Sequence, residues 1–141
     1  MKKIILSAFM TLVLAVQTLA APPAMDREKL LRAWFLSDDE TYFNNELPQD
    51  TIILWQHIPK NPDAQILGKT VHPLGGHIYI IYVDPFYNPN ILTARLTLLH
   101  EECHIANYEE DGDTTDTAKH GPSFDACFDR LYKQGALKDL L

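Results

Sequence analysis

The sequence predicts a single α+β domain that combines a small sheet with helices, and three of its segments carry this prediction. His77–Val83 is rich in β-branched and aromatic residues, which is typical of a strand. Ile91–Tyr108 has the apolar spacing of a long helix. Pro122–Gln134 begins with proline and ends before Gly135, the usual punctuation of a helix. A chain of 141 residues has room for one such domain.

The remaining elements are predicted from weaker patterns. Met25–Leu36 has apolar residues at near-helical spacing, so we expect a helix there. Thr51–Trp55 predicts a strand between two prolines, and Ala64–Val71 predicts another strand with a weaker signal. His72–Gly76 is typical of a turn, and Glu109–Lys119 of a polar loop.

Composition excludes some classes of protein. The 12 Lys and Arg residues stand against 19 Asp and Glu residues, and the net charge is −7. Basic residues cluster only within the first three positions, whereas a nucleic-acid-binding face needs a concentration of positive charge. We therefore expect no nucleic-acid partner. An aromatic content of 10% also argues against a disordered chain.

Residues 1–20 have the order of a secretory signal peptide. Met1-Lys2-Lys3 is a short positive start, Ile4–Val16 is an apolar run too short for a usual membrane span, and Thr18-Leu19-Ala20 supplies small residues for cleavage before Ala21. The alternative is an uncleaved N-terminal anchor. We expect an exported protein, periplasmic or secreted, whose domain comprises residues 21–141 and is not stably inserted in a membrane after cleavage.

The long helix carries the chemically informative motif. His100-Glu101-Glu102-Cys103-His104 has the pattern H-E-x-x-H. Residues four apart lie one turn above each other on a helix, so both imidazoles can reach one metal ion. Glu101 is rotated by about 100° from His100, where it can accept a proton from a water at the metal without being a ligand. The alternative is a helix with two surface histidines.

A catalytic zinc site usually has three protein ligands, so the motif needs one more. His120 is the leading candidate, because it ends the polar loop and directly precedes the last helix. If His120 is not the ligand, the next candidates are Glu109, Glu110 and Asp116. The opposite stripe of the long helix is expected to face the core; it comprises Leu92, Leu96, Leu99, Cys103 and Ala106.

Together these residues resemble the core of the SprT-like (Spartan-related) zinc metallopeptidases. The resemblance lies in His100–His104, a loop, and then His120-Gly121-Pro122-Ser123-Phe124, and it covers roughly Trp55–Tyr132. Upstream, the segments Leu67–Thr70, Ile78–Ile80 and Leu96–Leu99 also fit. The resemblance implies a zincin-like fold with a small sheet and an H-E-x-x-H helix. It also implies that His100, His104 and His120 bind Zn²⁺ and that Glu101 is the general base.

We expect this chain to depart from better-known members of the family in three ways: a signal peptide, an acidic mature chain, and no cysteine-rich zinc ribbon or DNA-binding tail. The family's association with DNA-crosslinked proteins is therefore not carried over. We expect an exported zinc-dependent metallopeptidase that hydrolyses peptide bonds in a protein or peptide substrate. The rival expectation is a non-catalytic zinc-binding or partner-binding protein of the cell envelope with the same fold.

Other residues give weaker signals. Asp111–Asp116 faintly resembles a calcium loop, although a solvated acidic loop is favoured. His72 and His77 could reach the cleft or simply be exposed.

Tyr108 could stabilise an oxyanion, and Asn107 could support a metal ligand, but either residue could also serve only the helix end. The strand Ile78–Val83 could pair with an extended substrate or belong to the core.

The two cysteines leave two possibilities open. Cys103 lies on the predicted buried stripe of the long helix, and Cys127 lies on the apolar stripe of the last helix. The two helices must pack closely if His120 binds the same ion as the H-E-x-x-H pair. An exported protein with two cysteines favours a disulfide, and free buried thiols are the alternative.

Overall fold

The computed structural model describes residues 26–59, 65–73, 78–108, 120–138 and 140, which form a small α+β domain. Within these residues there are three helices and a three-stranded mixed sheet. In chain order the elements are α1 (Arg27–Tyr42), β1 (Ile52–Trp55), β2 (Gly68–Val71), β3 (Ile80–Val83), α2 (Ile91–Ala106) and α3 (Pro122–Lys133). All six lie where the sequence predicts a helix or a strand, which confirms the α+β class.

The sheet has the strand order β1-β3-β2, with β3 in the centre. β3 pairs in parallel with β1 and antiparallel with β2. Ile81 and Val83 are fully buried, so one face of β3 belongs to the core. Of the two roles considered for Ile78–Val83, the structure shows the core role, and substrate pairing does not fit because both edges of β3 are already paired. The outer strands of the described sheet are β1 and β2.

The helices begin where the sequence places their signals. The side chain of Asn90 accepts hydrogen bonds from the backbone N–H groups of Leu92 and Thr93, both at 3.0 Å, at the start of α2. Pro122 occupies the first turn of α3, and Gly135 follows that helix with a positive φ of 83°, which glycine adopts without strain. These local signals explain why the bounds of α2 and α3 are close to those expected.

Helix α1 continues past the predicted end at Leu36 to Tyr42. Its last turns contain two aspartates that are buried through contacts from other parts of the chain. Asp38 binds the guanidinium of Arg95, and Asp39 accepts a hydrogen bond from the backbone N–H of Leu47 at 2.8 Å. The local pattern lacks this information, because acidic residues in sequence normally mark an exposed segment.

Helix α2 runs through the middle of the domain, packed against α1, α3 and the sheet. From residue 97 to residue 105 every residue is buried except His100, which is half-buried. The predicted core stripe is therefore only partly right: Leu99 and Cys103 are buried, but Leu92 is 50% exposed and Ala106 is also exposed. The stripe fails at the two ends of the helix, where no neighbouring described element covers these side chains.

Cys103 and Cys127 form a disulfide that joins α2 to α3, with their Cα atoms 5.9 Å apart. The possibility of a bridge raised by the two cysteines is thus confirmed. None of the described helices is long and apolar enough to cross a membrane. The expected signal peptide at 1–20, His77 and the loop at 109–119, with its calcium-like segment and its alternative ligands, lie outside the described residues.

Candidate metal centre

Three histidine side chains converge beside α2. Nε2 of His100 lies 3.2 Å from Nε2 of His104 and 3.1 Å from Nε2 of His120. The potential ligand atoms of all three residues lie within 4.8 Å of one another. Two nitrogens that bind one zinc tetrahedrally at about 2.0–2.1 Å are about 3.4 Å apart, so these spacings fit a shared ion. The three imidazoles are close enough to hold one metal ion.

Each histidine is placed by a local feature of the chain. His100 and His104 occupy successive turns of α2, so they project from the same side of the helix. His120 directly precedes Gly121, the N-cap of α3. The Cys103–Cys127 disulfide ties α3 to α2 within the motif itself and so limits how far His120 can move from its partners.

Phe124 packs against all three imidazoles from the first turns of α3. Its ring centre lies 4.2 Å from that of His120 and 4.5 Å from that of His104, in stacked arrangements, and 4.8 Å from that of His100. Phe124 is itself buried. An aromatic wall of this kind restricts the rotamers of the ligands and keeps water away from one side of the cluster.

The surroundings of His100 favour its neutral form. Burial, followed by the nearby imidazoles of His104 and His120, lowers the pKa of His100 from 6.5 to about 4. A neutral imidazole has a free lone pair for a metal, whereas a protonated one has none. At neutral pH, His100 is therefore ready to act as a ligand without losing a proton.

Glu101 is buried next to the cluster, with 4% of its surface exposed. The hydroxyl of Thr70 in β2 donates a hydrogen bond to Oε2 of Glu101 at 2.7 Å. Gly68, at the start of β2, allows this close approach: a Cβ atom there would lie 2.7 Å from Oε1 of Glu101 and 2.5 Å from Cγ2 of Thr97. Glu101 belongs to α2, the helix that carries His100 and His104. Its carboxylate is held in place by a hydrogen bond from Thr70 in the sheet.

Glu102 lies on a different side of α2, beside Asp38 of α1, and is fully buried. Its neighbours are Asp38, whose carboxylate pairs with Arg95, and Asp39. Burial, together with the negative charge of Asp38, raises the pKa of Glu102 well above its usual range. Because no donor among the described residues reaches its carboxylate oxygens, the neutral acid donating to Asp38 fits this position. The two adjacent glutamates therefore differ sharply in environment.

The weaker candidates occupy other places. Tyr108 packs with His72 and Tyr79 in an aromatic trio, with ring centres 4.8 Å and 5.6 Å from that of Tyr108. Asn107 donates from its side chain to the backbone oxygen of Cys103 at 2.7 Å and so caps the end of α2. Sequence reasoning missed Gly68 and Thr70, because only the folded sheet brings β2 to Glu101.

Comparisons of this chain with protein-family models, with curated proteins and with solved structures find no match.

Proposed function

We propose that this chain is an exported zinc-dependent metallopeptidase of the SprT-like kind with a zincin-like fold. His100, His104 and His120 would hold the zinc, and Glu101 would act as the general base. One observation carries the proposal: a buried carboxylate, oriented by Thr70, lies on the same helix as two of three converging imidazoles. A simple zinc-storage site would not need such a carboxylate beside its ligands.

The donor set supports zinc as the metal. Three imidazole nitrogens are borderline donors that suit zinc better than calcium or magnesium, which prefer oxygen ligands. Three protein ligands also leave the fourth tetrahedral position available, as catalytic zinc sites require. When bound, zinc would supply Lewis acidity toward a water and the scissile carbonyl.

Residues of the chain would carry out the proton transfers of the reaction. Glu101 accepts a proton from the attacking water and returns it to the leaving amine. Thr70 keeps one carboxylate oxygen of Glu101 in a fixed direction through its hydrogen bond. The burial of Glu101 limits competition from bulk water for that proton.

β2 is the strand best placed to bind an extended peptide. It is an outer strand of the described sheet, and its residues Gly68 and Thr70 contact Glu101. A peptide that added to this strand would pass beside the general base. This assigns to β2 the role that the sequence pattern suggested for the central strand.

The disulfide supports export. Cys103–Cys127 lies in the interior of the domain, and such bridges form and persist mainly outside the reducing cytosol. A periplasmic or secreted location accords with the signal-peptide pattern of residues 1–20.

Casein cleavage by the purified mature chain tests the proposal. We expect cleavage that stops with a chelator and returns when zinc is added back. If a folded, zinc-loaded protein does not cleave casein, a non-catalytic zinc-binding or partner-binding role in the cell envelope becomes the better interpretation. If casein is cleaved, the Glu101→Gln variant can be used to trap the natural substrate.

A further inference from the structure

A pocket of about 460 Å³ opens directly beside the candidate metal centre. His100 and Glu101 form part of its wall, so the pocket is continuous with the site where a bond would be cleaved. Much of the remaining wall is apolar and comes from Ile66, Leu67, Leu96 and Phe128. The volume lies within the range of about 300–1,000 Å³ that is usual for small-ligand pockets.

Three parts of the fold build the apolar wall. Ile66 and Leu67 precede β2, Leu96 belongs to α2, and Phe128 belongs to α3. Leu67 is 43% exposed, and Leu96 and Phe128 are partly buried, so apolar surface remains available to a ligand. The ring centre of Phe128 lies 6.0 Å from that of His100, which joins this wall to the metal centre.

The charges along the pocket wall also favour an apolar ligand. Among the described residues that line the pocket, Glu101 is the sole carboxylate, and Lys and Arg do not occur. A charged side chain entering here would lose water without gaining a counter-charge other than the general base. An apolar side chain would instead bury its surface against leucine and phenylalanine, which is favourable without any counter-charge.

We propose that this pocket binds an apolar side chain from a residue flanking the scissile bond. The substrates would then be peptides selected for an apolar residue beside the cleavage site. This inference rests on the proposed peptidase function, but its binding component can be measured separately.

The test uses two hydroxamic acids that differ only in carrying an isobutyl or a carboxyethyl group, because a hydroxamate can chelate a zinc held by the three histidines. Calorimetry on the zinc-loaded protein should show that the isobutyl compound binds at least about tenfold more tightly. This is the lower end of the discrimination between ligands that an apolar pocket usually gives. Equal affinities, or no binding of either compound, would overturn the proposal.

Leu67→Lys should reduce this preference to less than about threefold, since it replaces apolar wall by a charge. Leu36→Lys is the matched control, because Leu36 is 41% exposed and lies on α1 outside this pocket; it should leave the preference unchanged. Zinc content and thermal stability of both variants establish that they are folded. If folded Leu67→Lys still prefers the isobutyl compound as strongly as the parent does, the proposal is also overturned.

The outcomes separate the pocket from the peptidase. Apolar selectivity without casein cleavage would retain the pocket as a binding site and reject the proposed enzyme. Casein cleavage without apolar selectivity, either in hydroxamate binding or at the mapped cleavage sites, would reject the pocket and retain the enzyme.

Discussion

The hydroxyl of Thr70 donates a hydrogen bond to Oε2 of Glu101, with the two oxygens 2.7 Å apart. This bond joins β2 to α2 and fixes the direction of a carboxylate that is itself buried. In the proposed mechanism Thr70 is therefore a positioning residue for Glu101 and not a ligand or a base. Its removal should affect the rate of the reaction more than the binding of substrate or metal.

We expect Thr70→Val to lower kcat by about tenfold or more, the size expected for losing a hydrogen bond to a charged group. KM and zinc content should stay close to parental values, because the Thr70 hydroxyl hydrogen-bonds to Glu101, which is not one of the three proposed zinc ligands. Thr70→Ser retains the hydroxyl and should recover most of the rate. Steady-state kinetics on a fluorogenic peptide distinguishes these results, and an unchanged kcat in Thr70→Val would show that the bond has no positioning role.

His120→Ala should weaken zinc binding by more than about 100-fold. Removing a residue that only hydrogen-bonds to a metal ligand usually weakens binding by up to about 100-fold, so a larger loss identifies a ligand. His72→Ala is the control, since His72 stacks on Tyr79 and lies outside the convergent cluster. Competition with a fluorescent chelator measures both affinities. If His120→Ala binds zinc as tightly as the parent, His120 is not the third ligand.

The disulfide should stabilise the fold and the metal centre together. Reduction should lower the free energy of unfolding by about 2–4 kcal/mol, measured in urea, because Cys103–Cys127 constrains the unfolded chain. Zinc affinity should fall as well, because α3 carries His120 at its start. Cys127→Ser serves as the control: it should be less stable than the oxidised parent and insensitive to reductant. An intact mass that does not rise by two hydrogens on reduction would contradict the bridge.

The helices and their motif could largely be predicted from the sequence, because their signals are local. Four-residue spacing places His100 and His104 on one face, and Asn90 and Pro122 mark helix starts. His120 was accessible through its place after the polar loop and through the family resemblance. In these cases the interactions that determine the structure occur within a short segment of the chain.

The remainder depends on long-range packing that no short segment records. The contact of Thr70 with Glu101 joins positions 31 residues apart, and the pair of Asp38 and Arg95 joins positions 57 residues apart. The central position of β3 likewise follows from strand order and not from its own composition. Apolar strand sequences alone do not distinguish a central strand from an edge.

Glu102 makes stability depend on pH in a defined direction. The folded state raises the pKa of Glu102, chiefly by burial and secondarily by Asp38, so it retains a proton that the unfolded chain releases near its ordinary value of 4.5. This contribution to stability is complete below about pH 4.5 and is lost as the pH rises toward the folded-state pKa.

We expect Glu102→Gln to be more stable than the parent at pH 7 by about 1–3 kcal/mol, because the folded parent must keep a proton on Glu102 that the unfolded chain releases, at about 1.4 kcal/mol per pH unit above the ordinary pKa. The advantage should shrink as the pH falls below the ordinary carboxyl pKa, because both proteins are then neutral at this position. Urea unfolding at pH 7 and at acidic pH measures the difference. A glutamine variant that is no more stable than the parent at pH 7 would contradict the raised pKa of Glu102.

The most direct measurement of the central claim is the zinc content and peptidase turnover of Glu101→Gln, beside the matched Glu102→Gln variant. We expect Glu101→Gln to retain one zinc per chain and its thermal stability while turnover falls by about 10²–10⁴-fold, the usual effect of losing a positioned general base. Glu102→Gln should retain both zinc and turnover. Loss of zinc from Glu101→Gln would make Glu101 a ligand, and full activity in that variant would contradict its proposed role as the base.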